Sequence, residues 1–437
     1  MSERTDLSQP GCLIEGMTQL LSFAAGDFAV VLHSEPDCAN LVFRDSRVVD
    51  PRRFLCTNLT EREAVAGRGG EKLWRAVSEA RRRCGKQGTV FVLGGCVASM
   101  MGEDLDAAAR RHAGCGKLVV LSGAAFGKVG QAELIDRFCE LLVRENLPNR
   151  KPKSRARRVA LLGYPDDGGE CQRLLASAGV ELCRLDPTSD FARWECLRAG
   201  PLLVVPDREL FARTGTAWAE RGLALMEAPL PLGLSRSLEF YRALGSSLAL
   251  TPRAKETPSR DRPRWLAWPR GRSRQTKIAN RLREEAHRAV RRFWRGNARR
   301  LAYHVGSRKD FEAFTSAYGG LVALPLFLEL GFEITLFFQG AVESERQEQI
   351  RRLLQRYGIS RPFACLPDRL SLAVALKKGR FDAVFCDESL RDEAGAAHTP
   401  MITRAALHLG LGGVAPSCRE IERAISNSAV AFTRKKA

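Results

Sequence analysis

No Cys-x-x-Cys pair occurs anywhere in the 437 residues, although the chain carries 13 cysteines. That absence excludes zinc ribbons, bacterial-ferredoxin spacing and thioredoxin-like redox motifs, all of which need two closely spaced thiols. Histidine is scarce, with 6 residues, and no His-Glu-x-x-His occurs, so a zinc-protease helix is excluded. There is no Gly-x-Ser-x-Gly elbow for a serine nucleophile, and no Gly-x-Gly-x-x-Gly follows an apolar run. The segment SGAAFGKVG (122–130) is one residue short of a phosphate loop and has Val129 where a magnesium-binding hydroxyl belongs; AVAGRGGEK (64–72) fails as well. The chain is therefore expected to bind neither ATP nor a dinucleotide itself. Long apolar runs are also lacking. The longest, 319–338, is interrupted by Pro325, Glu329, Gly331 and Glu333 and reads as a buried helix followed by a strand rather than a membrane span. Residues 1–10 are polar with both charge signs, unlike a secretory signal. The expectation is a soluble, cytoplasmic protein without membrane association, whose thiols stay reduced.

What is present is ordinary globular composition, 45% hydrophobic and 27% charged, on a chain long enough for two to four domains. The net charge of +19 is localised: residues 252–300 hold 17 Lys/Arg against 4 Asp/Glu, an excess of 13 that leaves about +6 elsewhere. This segment lacks the interleaved aromatics of a single-strand nucleic-acid binder, Trp265, Trp268 and Trp294 being its only large planes. An exposed linker and a solvated helix account for most of its charge. A docking surface for an acidic partner is the alternative.

Short continuous apolar runs at 28–32, 89–93, 117–121, 159–163, 180–185, 202–205, 223–227, 301–305, 333–338, 383–386 and 400–402 alternate with amphipathic stretches such as 71–84, 103–112, 132–145, 208–221 and 345–357. Such runs suit parallel strands covered on both faces. The fold class is α/β, with three Rossmann-like domains on mostly parallel, doubly wound sheets. Two polar, proline-containing breaks, 148–158 and 251–275, divide the chain into 1–150, 155–250 and 276–437, the last opening on a basic helix at 276–294.

In open α/β sheets, ligands bind beyond the carboxyl ends of the strands. Cys96 follows the run 89–93, Cys38 lies in a loop after 28–32, and Cys12 sits in a turn before the first helix. Three thiols could thus be held at one edge of the first unit. His33, five residues before Cys38, is either a loop-capping residue or one that supports a ligand from behind. The other ten cysteines, Cys84, Cys139, Cys183 and Cys386 among them, read as buried apolar residues.

Taken with their contexts, these cysteines make the chain resemble the nitrogenase component 1 superfamily, which includes nitrogenase molybdenum–iron protein subunits and dark-operative protochlorophyllide reductase subunits. The matching stretches are LHSEPDC (32–38), like the family's His-Gly-x-x-Gly-Cys loop, and CTNLTEREAVAGRGGEKL (56–73), like its threonine-acid-glycine segment. GGCVASMMGEDLDA (94–107) is similar to its Cys followed by Gly-Asp-Asp, and SGAAFGKVGQ (122–131) to its next loop. The resemblance continues through 225–245 and the third unit.

The resemblance implies an iron–sulfur cluster, 4Fe–4S or a larger P-cluster-like group, shared with a homologous component 1 subunit in an α2β2-type heterotetramer. Cys12, Cys38 and Cys96 would be its metal ligands. His33 and the backbone at Gly94 and Gly95 would be cofactor-binding, with the start of the next helix near Gly102. A separate ATP-hydrolysing iron protein would deliver the electrons. The implied activity is that of an oxidoreductase subunit in a nitrogenase-like two-component reductase. Departures from the pattern narrow this. Ser34 and Asp37 replace glycines of the histidine–cysteine loop. Pro206 stands where subunits carrying the large catalytic cofactor have a thiol, and Ala405 where they have a histidine, with His408 three residues away. Dinitrogen is accordingly the least expected substrate; a tetrapyrrole or a small sulfur compound remains. The rivals are a cofactor-assembly scaffold of the same superfamily and, from another class, a basic nucleic-acid-binding or regulatory protein using 253–300.

Overall fold

The computed structural model describes residues 13–22, 24–45, 50–85, 88–110, 117–122, 131–147, 157–186, 190–248, 274–294, 299–305, 321–339, 347–348, 351–352, 354–355 and 363–434. Cys12, most of the two expected linkers, the loop at 123–130 and much of the stretch 345–357 lie outside them.

The described strands form three sheets. The first has the order β2-β1-β3-β4, built from β1 (Phe28–His33), β2 (Phe54–Cys56), β3 (Thr89–Gly94) and β4 (Lys117–Ser122). The second is β6-β5-β7-β8, from β5 (Arg158–Leu162), β6 (Glu181–Leu185), β7 (Leu202–Val205) and β8 (Leu225–Glu227). The third is β11-β10-β9-β12-β13, from β9 (Arg300–Val305), β10 (Glu333–Gln339), β11 (Phe363–Leu366), β12 (Ala383–Phe385) and β13 (Met401–Ile402). All pairings in the first and third sheets, and that of β5 with β7, are parallel. Every apolar run expected as a strand is one, with ends shifted by one or two residues. β2 and β11 were not foreseen: both are short edge strands, half-buried over most of their length, and so lack a continuous apolar signature.

By internal contacts the chain divides into two compact units, one running up to Gly163 and taking in Cys183–Leu225, the other comprising Tyr164–Leu182 and Met226 onward. In the first unit, register fixes which side chains share a face. Ala29 lies beside Val90 and Val31 beside Val92, and these pack with Leu73, Val77 and Ala80 of helix Gly69–Arg83 and Leu105 and Ala109 of helix Leu105–Arg110. The spacing 73, 77, 80, 84 gives that helix one apolar stripe, and Arg81–Arg83 in its last turn complement the helix dipole. Strand alternation sends Phe28 and Phe91 to the opposite face. There they meet Phe138 of helix Gln131–Glu145 and Phe191, with ring centroids 4.8–6.2 Å apart.

In the other unit, Ala302, Phe337 and Val384 of the third sheet pack against Leu372 and Leu376 of helix Arg369–Gly379 and Ala394 of helix Arg391–Ala396. Tyr303, Phe327 and Phe385 form an aromatic cluster there. The basic helix begins two residues earlier than expected, at Arg274–Trp294, and packs against helix Leu411–Arg434.

Carboxylates, buried at Glu170 and Asp136 and half-buried at Glu329, close both units by capping helices that begin elsewhere in the chain. Glu170 accepts from the Leu411 amide at 2.8 Å, the Gly412 amide at 2.7 Å and the Tyr241 hydroxyl at 2.7 Å. Burial, reinforced by this carboxylate, holds the Tyr241 hydroxyl well above its usual range, so it stays a donor. Glu329 accepts from the Leu234 and Ser235 amides at 2.8 and 3.0 Å, at the start of helix Leu234–Ser247. In the first unit, Asp136 takes the Arg213 and Thr214 amides, both at 3.0 Å, in the first turn of helix Ala212–Glu220. Gly410 has φ +80°, and a Cβ there would come within 2.9 Å of the Glu170 carboxylate.

Replacing Glu170 by Ala should therefore leave two amides and a buried hydroxyl unpaired. The expected loss is about 3 kcal/mol, read as a lower urea midpoint with hydrogen-exchange protection lost first at the start of helix Leu411–Arg434. Acid should act through His304, which burial lowers from 6.5 to about 4. Between these values the unfolded chain binds the extra proton, so stability falls as pH drops from 6.5 towards 4. A His304→Gln variant should show a shallower loss over that window in urea titrations at stepped pH.

Candidate functional site

In the first sheet the chain direction reverses its order between β1 and β3, which places a crevice beyond their carboxyl ends. β1 ends at His33, beside Gly94 at the end of β3, and the Gly95 amide donates to the His33 carbonyl at 2.9 Å. A Cβ on Gly95 would stand 3.0 Å from Ser34 Cβ, 3.1 Å from His33 O and 3.3 Å from Ile14 Cδ1. Three segments therefore crowd this position, and the missing side chain is what lets them meet.

Cys96 opens helix Cys96–Met100 immediately after Gly95 and is half-buried. Cys38 is the third residue of helix Pro36–Asp45, not a loop residue as expected, because the helix starts at Pro36, whose fixed φ suits a first helical position. It too is half-buried. The structure thus sets both thiols beyond the carboxyl ends of neighbouring strands. Among the described residues, however, no group of three or more His, Cys, Asp or Glu is placed to hold a single metal ion.

The His33 imidazole is fully buried. Its Nε2 lies 2.9 Å from Glu103 Oε2, while Nδ1 has no partner. Glu103 reaches this position because Gly102, at φ +66°, reverses the chain after helix Cys96–Met100. The following helix starts at Leu105 rather than near Gly102, since Asp104 caps it by accepting from the Ala107 amide at 2.9 Å. The Glu103 carboxylate also fills the space above Gly69, the first residue of helix Gly69–Arg83, where a Cβ would approach it to 2.6 Å.

The stretch 56–73 wraps the same edge. The Thr57 amide donates to Leu32 O at 3.0 Å and the Leu59 amide to Ser34 O at 2.9 Å, so the chain leaving β2 stays bonded to the end of β1. Cys56, the last residue of β2, has its sulfur 3.4 Å from the Asn58 amide and 3.7 Å from Ser34 Oγ. Thr60 and Glu63 form a capping box on helix Glu61–Val65. The Lys72 ammonium, 2.6 Å from Glu63, and the Thr60 hydroxyl hold the Glu63 carboxyl at about 2.

Cys115 lies outside the described residues, and the remaining described cysteines divide into two groups. Cys84, Cys139, Cys171, Cys386 and Cys418 are buried. Burial pushes the thiols of Cys386 and Cys418 up to about 12, lifts that of Cys84, and holds that of Cys139 well above its ordinary range, as suits inert packing residues. Cys56, Cys183, Cys196 and Cys365 are only half-buried, so the reading of them as core residues does not hold. Each lies at a strand end or on a half-covered face. Elsewhere, Pro206 is buried after β7, and Ala405 and His408 are exposed. Sequence reasoning missed Cys56 and Glu103. The signals were present: a cysteine closing the apolar triplet 54–56, and the first acid after Gly102.

The sequence profile described as nitrogenase component 1 type oxidoreductase matches residues 23–410. A curated protein of Klebsiella pneumoniae, the nitrogenase iron-molybdenum cofactor biosynthesis protein NifE, is 26% identical over 238 residues, covering 48% of this chain and 52% of its own length. The chain thus spans about half the length of that relative. Among solved structures, nitrogenase Cp1 at pH 6.5 superposes with a TM-score of 0.64 at 14% identity, over 98% of this chain and 94% of that one. The same protein at pH 5 gives a TM-score of 0.62 at 13% identity, over 98% and 91%. At these identities the structures speak for the fold alone. The profile match covers most of the sequence, and the chain belongs to the nitrogenase component 1 type oxidoreductase family.

Proposed function

We propose that the chain is a subunit of the catalytic component of a nitrogenase-like, ATP-dependent two-component reductase, in which it holds an iron–sulfur cluster that relays electrons to a substrate. The observation that carries this reading is the pair of half-buried thiols, Cys38 and Cys96, beyond the carboxyl ends of β1 and β3 at the switch point of the first sheet. The donor set fits the group. Soft thiolates suit iron–sulfur clusters, and these two are not packed away like Cys139 or Cys386. The buried Nδ1 of His33 lacks a partner at the same edge, as expected where a further group belongs.

Cys12, Cys38 and Cys96 would hold the cluster, with any further ligand coming from a homologous subunit in a heterotetramer. When bound, the cluster supplies one-electron storage and transfer at a potential set by burial and by hydrogen bonds to its sulfurs. His33, tied to Glu103, keeps the end of β1 fixed, and Gly95 lets the segments carrying Cys38 and Cys96 approach each other. ATP hydrolysis would belong to a separate iron protein. No described helix is long and apolar enough to cross a membrane, which accords with a cytoplasmic partner set. A second reading, a scaffold that assembles a cofactor and passes it on, is favoured by the similarity to the cofactor biosynthesis protein.

Anaerobic purification with the partner should yield an iron-containing complex with an electron paramagnetic resonance signal. Cys38→Ala and Cys96→Ala should each lose iron several-fold; full loading in the double variant sinks the ligand assignment. Sustained substrate reduction with the iron protein marks a reductase, whereas release of the cluster to an apo-acceptor without turnover marks a scaffold. Glu103→Ala should strand both nitrogens of buried His33 and cost about 1–3 kcal/mol in urea unfolding. Glu103→Gln, which keeps a hydrogen-bonding group at the same reach, should recover most of that loss.

A further inference from the structure

Helix Arg274–Trp294 packs against helix Leu411–Arg434, seals Ala286 and Phe293, and leaves another face in water. On that face Arg288, Arg291 and Arg292 are exposed. We propose that this face, with Trp294 at its end, is a docking surface for a partner protein, which it takes by an acidic segment carrying one apolar side chain among its carboxylates. The inference goes beyond the reading given under Proposed function and does not depend on the cluster.

The charge on this face is uncompensated. Arg75, Arg144 and Arg423 are each neutralised by a glutamate three or four residues away on their own helix, and so is Arg281 at the head of this face, by Glu285. Arg291 and Arg292, by contrast, have no hydrogen-bond or ion-pair partner among the described residues, and Arg288 reaches only the Glu284 carbonyl, at 3.4 Å. At spacings of three and four the guanidinium groups of 288, 291 and 292 crowd about 6 Å of helix axis. Their mutual repulsion is a standing cost that carboxylates from outside remove, and the planar fork of arginine matches a carboxylate. Trp294 supplies the apolar anchor. It is 60% exposed, the one exposed aromatic side chain among the described residues, whereas Trp194 and Trp218 are sealed. It is also held in place: Nε1 donates to the Glu329 carbonyl at 2.6 Å, and the ring lies over Gly331, where a Cβ would come within 3.4 Å of it. A fixed tryptophan beside arginines is the composition of an energetic centre at a protein interface, and its fixing lowers the entropy lost on binding. Arg299, over the Phe293 ring at 5.0 Å, adds a buried Nη1 without an acceptor near the same helix end. Other occupants fit less well. Residues 251–273, which precede the helix, hold seven Lys/Arg against two Asp/Glu and repel it. A helix lying on a bilayer buries its apolar face in lipid, but here Ala286 and Phe293 are already taken within the protein. A nucleic-acid strand needs a longer cationic track and successive stacking planes; this face offers one plane and one turn of free cations, bounded by Glu284 and the Arg281–Glu285 pair.

The test titrates the full chain into two fluorescent glutamate-rich peptides, identical except for a central Leu or Ser, and follows anisotropy at stepped salt. Both should bind in a salt-sensitive manner, the Leu peptide more tightly. The Arg291→Gln, Arg292→Gln double variant should weaken both by about tenfold. Trp294→Ala should bind the two peptides equally, and Trp294→Phe, which keeps an aromatic plane, should restore part of the preference for Leu. Arg75→Gln, at a site already paired on its own helix, should match the wild type. No measurable binding of either peptide overturns the proposal. So does equal binding by wild type and the double arginine variant, or an equal loss in Arg75→Gln, since affinity would then follow overall charge. A single-stranded DNA of the same charge that binds more tightly than the Leu peptide, and loses that affinity in Trp294→Ala, also overturns it and gives the face to nucleic acid. Iron plays no part in these outcomes, so the roles of Cys38 and Cys96 stand or fall separately.

Discussion

A carboxylate held, wholly or partly out of water, at the start of a helix that begins far along the chain is the contact on which each compact unit closes. Glu170 and Leu411 are 241 residues apart, Glu329 and Leu234 are 95 apart, and Asp136 and Thr214 are 78 apart. The energetic logic is the same in each case. A helix N-terminus leaves backbone amides unpaired and carries a partial positive charge. A carboxylate taken out of water needs donors that do not themselves bring a full opposite charge. Each group satisfies the other, and the cost of burying either alone is what makes the joint arrangement specific. The glycines at 233, 410 and 412 belong to the same device, since a Cβ at any of them would fall within 3 Å of the carboxylate.

This device bears on the chemistry. In nucleotide-binding α/β proteins such helix ends take phosphate; here the chain's own carboxylates fill them. Glu103 repeats the theme beside the candidate site, standing over the first residue of helix Gly69–Arg83 while holding His33. What the first sheet presents at its carboxyl edge is then sulfur rather than a phosphate cradle. Cys38, Cys56 and Cys96 belong to three different elements, brought to one edge by parallel pairing alone.

The sequence made the strands legible wherever a strand is covered on both faces, because burial on two sides demands an unbroken apolar run. It hid β2 and β11 for the converse reason: Arg52 and Arg53 before one and Pro362 and Pro367 around the other reflect an edge with a single neighbour. Cys38 and Cys96 could be singled out because each follows a readable strand. Cys56 could not, since its significance depends on β2, which did not read as a strand. Glu103 was equally opaque, as its pairing with His33 spans 70 residues and requires the positive φ of Gly102. The distinction between sealed and accessible cysteines is likewise tertiary: Cys365 and Cys386 look alike in sequence, yet only the second is buried.

The strand orders have a consequence for how the protein is made. In each sheet the strand translated first, β1, β5 or β9, ends up inside the sheet, and later strands add to both of its sides. A nascent chain leaving the ribosome therefore offers the central template of a sheet before any of its neighbours exists. The first strand of each sheet waits longest for cover, because neighbours must still be made for both of its sides. Synthesis from the amino terminus, at about 5–20 residues per second, sets the length of that exposure. For β1, whose residues are buried throughout in the finished sheet, it lasts until β3 emerges some sixty residues later. The interval makes this stretch the natural client of whatever holds unfolded apolar chains in the cell.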